Sequence, residues 1–152
     1  MHGVLVELAT PPAGTHLSHE KGFDHLALTV ADYEAARATW KQNIGLDVVN
    51  EIRPEGRGML IAQMPSGQCM IELLGGTSPD SPMAQRIAEQ GERASSMVAI
   101  EVADLDAEVA KYRAAGLTLP DPATCVLPDS RTSTISADQA FGLAIQLIEF
   151  RR

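Results

Sequence analysis

The feature that most constrains this chain is a repeat. Residues 22–34 read GFDHLALTVADYE, and seventy-two positions later residues 94–106 read ASSMVAIEVADLD. Laid on each other, Ala27, Val30, Ala31 and Asp32 fall on Ala99, Val102, Ala103 and Asp104, and Leu28 falls on Ile100. The match runs on, with Ala35 and Ala38 on Ala107 and Ala110, and Trp40 on Tyr112. Self-similarity of this span marks a duplicated supersecondary unit, and it fixes the architecture before any motif is read. One position breaks it in a chemically telling way: the counterpart of His25 is Met97.

Each copy reads as one βαβββ unit. The first strand, over 23–30, alternates so that His25, Ala27 and Thr29 share one face and Leu26, Leu28 and Val30 the other. Asp32 then caps a helix over 33–43 that stops at Gly45. Strands follow over 46–52, 59–64 and 69–74, with turns at 54–58 and 65–67. Ser81-Pro82 reads as an N-cap and first-turn proline opening a helix that ends at Gly91. The second copy gives a strand over 97–102, a helix over 105–115 capped by Asp104, and a strand beginning at Gly116. An irregular stretch over 120–128 and strands over 132–136 and 143–150 complete it. The chain is therefore expected to be α+β. Residues 21–152 would form a single domain, its units 22–75 and 94–150 joined by a linker helix over 82–91.

Residues 1–20 stand apart. Gly3-Val4-Leu5-Val6-Glu7-Leu8 has the look of an apolar strand and echoes Gly142-Leu143-Ala144-Ile145-Gln146-Leu147, with Glu7 where Gln146 falls. His2, His16 and His19 lie in the same stretch. Two readings stay open: a flexible leader with solvated histidines, or an extra edge strand that brings Glu7, His16 or His19 to a pocket.

Composition narrows the partners. With 152 residues, 45% of them hydrophobic, there is material for a sizeable core. A net charge of −8 argues against nucleic acid, whose phosphates call for a basic face. No apolar run approaches the roughly 20 residues that span a bilayer. Only two cysteines, Cys69 and Cys125, fit a reducing compartment, so a cytoplasmic protein without membrane contact is expected.

The motifs then point to a family. Asp24-His25-Leu26-Ala27 at the first strand, Asn43-Ile44-Gly45-Leu46 at the first helix end and Ile71-Glu72-Leu73-Leu74 carry the likeness. So do Ser78-Pro79-Asp80-Ser81-Pro82-Met83-Ala84 and the Gly91-Glu92 helix exit. Over 22–149 the chain resembles the vicinal oxygen chelate superfamily of glyoxalase I, extradiol dioxygenases and bleomycin-resistance proteins, and within it the methylmalonyl-CoA epimerases. The resemblance implies that the two units form one curled mixed sheet around a cleft, that the protein is a homodimer, and that the ligand or substrate is a small molecule.

It also implies a divalent metal (Co, Mn, Zn or Ni) on four cleft ligands, one early and one late in each unit. Carried over residue by residue, the first-unit ligands are His25 and Glu72, while the second-unit positions hold Met97 and Gln146. A thioether is a poor partner for such an ion, and an amide oxygen binds more weakly than a carboxylate. That leaves His25, Glu72 and Gln146 as the metal set. The family's catalytic base falls on Ile61, with Gln63 on the same face, and neither takes a proton. The second unit has Ser136-Ala137-Asp138-Gln139 where the family carries a His-Pro pair. Glu72 is then the one catalytic candidate, an acid in an apolar strand that would need a partner if buried. Arg53, Arg57 and Arg131 are candidate phosphate contacts of an acyl-CoA or plain surface charges. Two functions follow from the resemblance. One is an isomerase or lyase, glyoxalase- or epimerase-like, acting on a small carbonyl or acyl-thioester compound through an incomplete metal quartet. The alternative is a metal-free small-molecule binder with a pocket lined by Ile61, Gln63, Met97 and Gln146.

Overall fold

The computed structural model describes residues 22–92 and 96–151; the 1–20 leader with Glu7, His2, His16 and His19 lies outside the described residues. In chain order the elements are β1 (Phe23–Thr29), α1 (Tyr33–Ile44), β2 (Asn50–Ile52), β3 (Met59–Ser66), β4 (Cys69–Gly76) and α2 (Pro82–Gln90). Then follow β5 (Met97–Glu101), α3 (Leu105–Ala114), β6 (Ala123–Thr124), β7 (Ser130–Ile135) and β8 (Ala144–Phe150). The strands make one eight-stranded sheet in the order β2-β3-β4-β1-β5-β8-β7-β6. The repeat is visible in its register. β1 and β5 run antiparallel at the centre, where His25 opposes Ala99 and Ala27 opposes Met97. Each pair is the image of the other under the seventy-two-residue offset. Each central strand then takes its unit's last strand in parallel: Ala27 opposes Glu72, and Ala99 opposes Gln146.

Local chemistry sets the helices. The Asp32 and Asp104 carboxylates accept from the backbone N–H of Ala35 and Ala107, closing the first turns of α1 and α3. Gly45 ends α1 at φ +81, a left-handed conformation that glycine adopts without a Cβ clash. Ser81 caps α2 through its Oγ on Ala84 N–H. A Cβ on Gly76 would lie 2.5 Å from that Oγ, so only glycine lets β4 end against the α2 cap.

One sheet face is covered by the helices. Leu28, Val30, Trp40, Met64 and Leu73 form the α1 core, and Leu105, Val109, Leu119, Ile135 and Leu147 form the α3 core. Burying one such leucine in full is worth about 1.5–3 kcal/mol. The opposite face, which carries His25, Glu72, Met97 and Gln146, is the cleft side.

Three expected boundaries move. The strand expected over 46–52 is ordered as strand only at Asn50–Ile52. Leu46 and Val48 pack on the α1 core, but Asp47 satisfies Val48 N–H and pairs with Lys41, and the chain reaches β3 only at Val49. The turn expected at 65–67 shifts to Gly67 and Gln68, because β3 continues through Pro65 and Ser66, which oppose Met70 and Cys69. Pro65 lies beyond the last residue that β2 pairs, so its missing N–H leaves no broken ladder there. No strand starts at Gly116. The segment is instead held by Arg113, which donates to the Leu119 carbonyl, and the short β6 forms within the stretch expected to be irregular. Among the described residues, no helix is long and apolar enough to cross a membrane.

Candidate functional site

Strand alternation and register bring the first-unit polar residues into one line. On β4, Glu72 faces the cleft between its neighbours Ala27 on β1 and Gln63 on β3, and Gln63 in turn opposes Asn50 on β2. The side chains follow the register. Asn50 Nδ2 donates to Gln63 Oε1 at 2.9 Å, and Gln63 Nε2 donates to Glu72 Oε1 at 2.7 Å. The other Glu72 oxygen stands 3.6 Å from His25 Nε2. His25 Nδ1 lies 2.7 Å from Asp24 Oδ2, a contact to a carboxylate in which the ring nitrogen donates. Asp24 and His25 are neighbours in a strand and would ordinarily face opposite ways. The register of β1 against β5 slips between Phe23 and His25, an irregularity of the kind that re-aims a side chain. His25 and Glu72 are each 3% exposed, so this is a buried imidazole held between two carboxylates. Burying such charges is costly unless they are paired and hydrogen-bonded, and here each is.

The second unit carries no equivalent line. By register, Met97, Gln146 and Thr134 stand where His25, Glu72 and Gln63 stand in the first unit. Residues 125–127, leading from β6 toward β7, lie across the cleft over both of its halves. Leu127 packs with Ala99 and Ile148, and Val126 packs against Ala27, Ile61 and Leu74. The turn is fastened at its base. Cys125 N–H donates to the Ser130 carbonyl, the Ser130 hydroxyl donates to the Leu127 carbonyl, and Asp129 takes a positive φ of 52° between them.

The cleft is thereby divided. A small chamber of ≈ 80 Å³ lies among His25, Ile61, Met97, Val126 and Gln146. A cavity of ≈ 590 Å³ opens on the first-unit side, where Asp24, Asn50, Gln63, Met70, Pro128 and Phe150 contribute to its wall. Glu72 and Leu127 line both. Of the four residues expected to form the pocket, Ile61, Met97 and Gln146 meet at the small chamber, and Gln63 belongs to the larger cavity.

The implied metal does not fit these donors. His25 and Glu72 are the only strong ligands of the quartet; Met97 offers a soft thioether and Gln146 a neutral amide. Among the described residues no group of three His, Cys, Asp or Glu side chains is arranged to hold an ion.

Two of the three candidate arginines, Arg131 and Arg53, have structural partners. Arg131 contacts Asp106 at 2.7 Å and Glu149 at 2.8 Å. Glu149 also accepts from Leu105 N–H, the first residue of α3. The Arg131 hydrogen bond, followed by that of Leu105, holds the Glu149 carboxyl below the usual carboxylate range. Arg53 lies 3.4 Å from Glu51. Glu51 also accepts the Tyr33 hydroxyl proton. Burial first, and then that bond, push the Tyr33 pKa up to about 12.

Sequence reasoning missed three contributors. Asp24 was visible only as a neighbour of His25, since its orientation depends on a strand irregularity. Asn50 falls within the expected strand over 46–52, where nothing in the sequence assigns it a partner. Residues 125–127 carry no strand or helix pattern, and a loop that folds back into a cleft leaves no periodic signal.

The duplicated βαβββ chain thus forms a single sheet with helices on one face and a cleft on the other. The family model of the Glyoxalase/Bleomycin resistance protein/Dioxygenase superfamily matches residues 22–147, and the chain belongs to that superfamily. No curated protein matches it. Among solved structures, it is similar to a hypothetical protein, BH1468, from Bacillus halodurans C-125 (TM-score 0.75, 20% identity, covering 88% of this chain and 96% of that one). It is also similar to methylmalonyl-CoA epimerase from Mycobacterium tuberculosis (TM-score 0.71, 25% identity, 90% and 95% covered). The Streptomyces coelicolor methylmalonyl-CoA epimerase in complex with 2-nitronate-propionyl-CoA gives TM-score 0.70 at 22% identity, with 86% and 98% covered.

Proposed function

We propose that this protein binds a small organic molecule in its first-unit cavity and does so without a metal ion. The observation that carries the reading is the state of the two retained ligands. Glu72, on the floor of a cavity of ≈ 590 Å³, is engaged by Gln63 and His25, and His25 in turn by Asp24. A cavity of this size with a few converging polar groups suits a drug-sized ligand. Its lining supplies carboxylates and amides but, among the described residues, no cation of the kind that stabilises an enolate.

One observation favours a second reading. The Asp24–His25–Glu72 line joins two carboxylates through an imidazole, so a proton removed by Glu72 from a carbonyl compound has a route onward. In that reading Glu72 is the catalytic base of a metal-independent isomerase, and chemistry on one wall restricts it to removing and returning a proton on one face.

A thermal-shift screen of small organic compounds, run in parallel with and without a chelator, tests the first reading. A ligand that binds only the native state raises the melting temperature by mass action, and the rise should survive chelation. Stabilisation only by Mn²⁺, Co²⁺ or Zn²⁺, abolished in His25→Ala, would overturn it. Incubating each hit in D₂O separates the readings: carbon-bound deuterium that appears with wild type and not with Glu72→Gln selects the isomerase.

A further inference from the structure

The cavity has a sign. Two carboxylates face it: Asp24, whose side chain is 26% exposed, and Glu72, at 4%. Among the described residues that line it there is no lysine or arginine. The imidazole of His25 lies between the two acids and outside the described cavity wall, and a single imidazole offsets at most one of them. Opposite this polar floor, Ile52, Leu127, Pro128 and the Phe150 ring supply apolar wall. An anion entering here would lose hydration and meet like charge. An ammonium group would exchange its water for a charge-assisted hydrogen bond to a carboxylate, with its hydrocarbon part on the apolar side.

We propose that the ligand is an amphiphilic organic cation, an amine whose ammonium group sits against the Asp24 carboxylate on the polar floor and whose apolar body lies against Leu127 and Phe150. The proposal rests on the reading of this cavity as the binding site and adds the ligand's charge. It also separates this chain from the epimerases it is similar to: the charge of the cavity is wrong for a negatively charged acyl-CoA.

The test uses the full chain and three probes with one phenyl ring and different heads: phenethylammonium, phenethyl alcohol and phenylacetate. Binding is followed at neutral pH by amide NMR shifts of residues 67–70 and 50, which border the cavity. The ammonium should bind on the order of tenfold tighter than the alcohol, as expected for one charge-assisted contact, and phenylacetate weakest of the three. In Asp24→Asn the ammonium should fall to within about twofold of the alcohol. An amide spectrum unchanged away from the cavity reports that the variant is folded. Equal affinity for all heads, or a preference for the carboxylate, would overturn the charge assignment while leaving the cavity reading intact. If no probe shifts those amides, the cavity reading falls and the charge assignment falls with it.

Discussion

The two halves of this molecule share a scaffold and differ on one face. On the helix side they match: each central strand packs an aliphatic face against a helix capped by an aspartate, Asp32 in one unit and Asp104 in the other. On the cleft side they part. The first unit holds Asn50, Gln63, Glu72, His25 and Asp24 in a continuous polar line, while the second presents Thr134, Gln146 and Met97 with Leu127 laid over Ala99 and Ile148. A duplicated fold needs both helix-side cores to close its sheet. It needs only one polar face to hold a ligand, and the other can be filled by its own chain.

That comparison breaks first in the cores if it is wrong. Leu73 and Leu147 occupy corresponding places, 0% and 1% exposed. Leu73→Ala and Leu147→Ala should each destabilise by about 2–5 kcal/mol in urea unfolding, the usual range for a buried leucine truncation. A large effect in one unit with a negligible one in the other would mean that the halves do not fold as one cooperative body.

The cleft faces should respond unequally to a matched pair of substitutions. Gln63→Leu removes the donor on a buried carboxylate, Glu72, and should cost about 1–3 kcal/mol. Thr134→Val, at the corresponding place in the second unit, is expected to change stability by less than about 0.5 kcal/mol. Equal losses from the two would erase the asymmetry.

A smaller effect sharpens the helix-side symmetry by showing where it ends. Glu149 anchors the start of α3 through Leu105 N–H and Arg131. Because its folded pKa is depressed, its contribution is fully present above the ordinary carboxylate value. It is lost as pH falls through the lower folded value. Wild type should therefore lead Glu149→Gln in melting temperature near neutral pH, with the gap closing as the solution is acidified below about pH 4. A gap that widens on acidification would contradict the assigned direction.

The fold was largely legible because its causes are periodic or local. The repeat announced the two units, alternation around His25 and Leu28 assigned the faces of β1, and Asp32, Gly45, Ser81 and Asp104 marked helix ends through their own hydrogen bonds. The site was half legible. His25 and Glu72 stand out by their motifs, and side-chain chemistry alone removes Met97 as a ligand and leaves Gln146 a weak one. What escaped depends on tertiary placement: a slipped register that turns Asp24 inward, and a loop that puts Leu127 where the second half of a cleft would open. Neither has a pattern at the level of residue types.

Metal uptake tests the central claim most directly, namely that the first-unit polar line is closed on itself while the second unit contributes no ligands. The chain would be loaded with Co²⁺, dialysed, and analysed for bound metal beside the Met97→His/Gln146→Glu double variant, which restores the second-unit donors. The account predicts metal-free wild type and near-stoichiometric cobalt in the double variant. Stoichiometric cobalt in wild type, lost in His25→Ala, would contradict it.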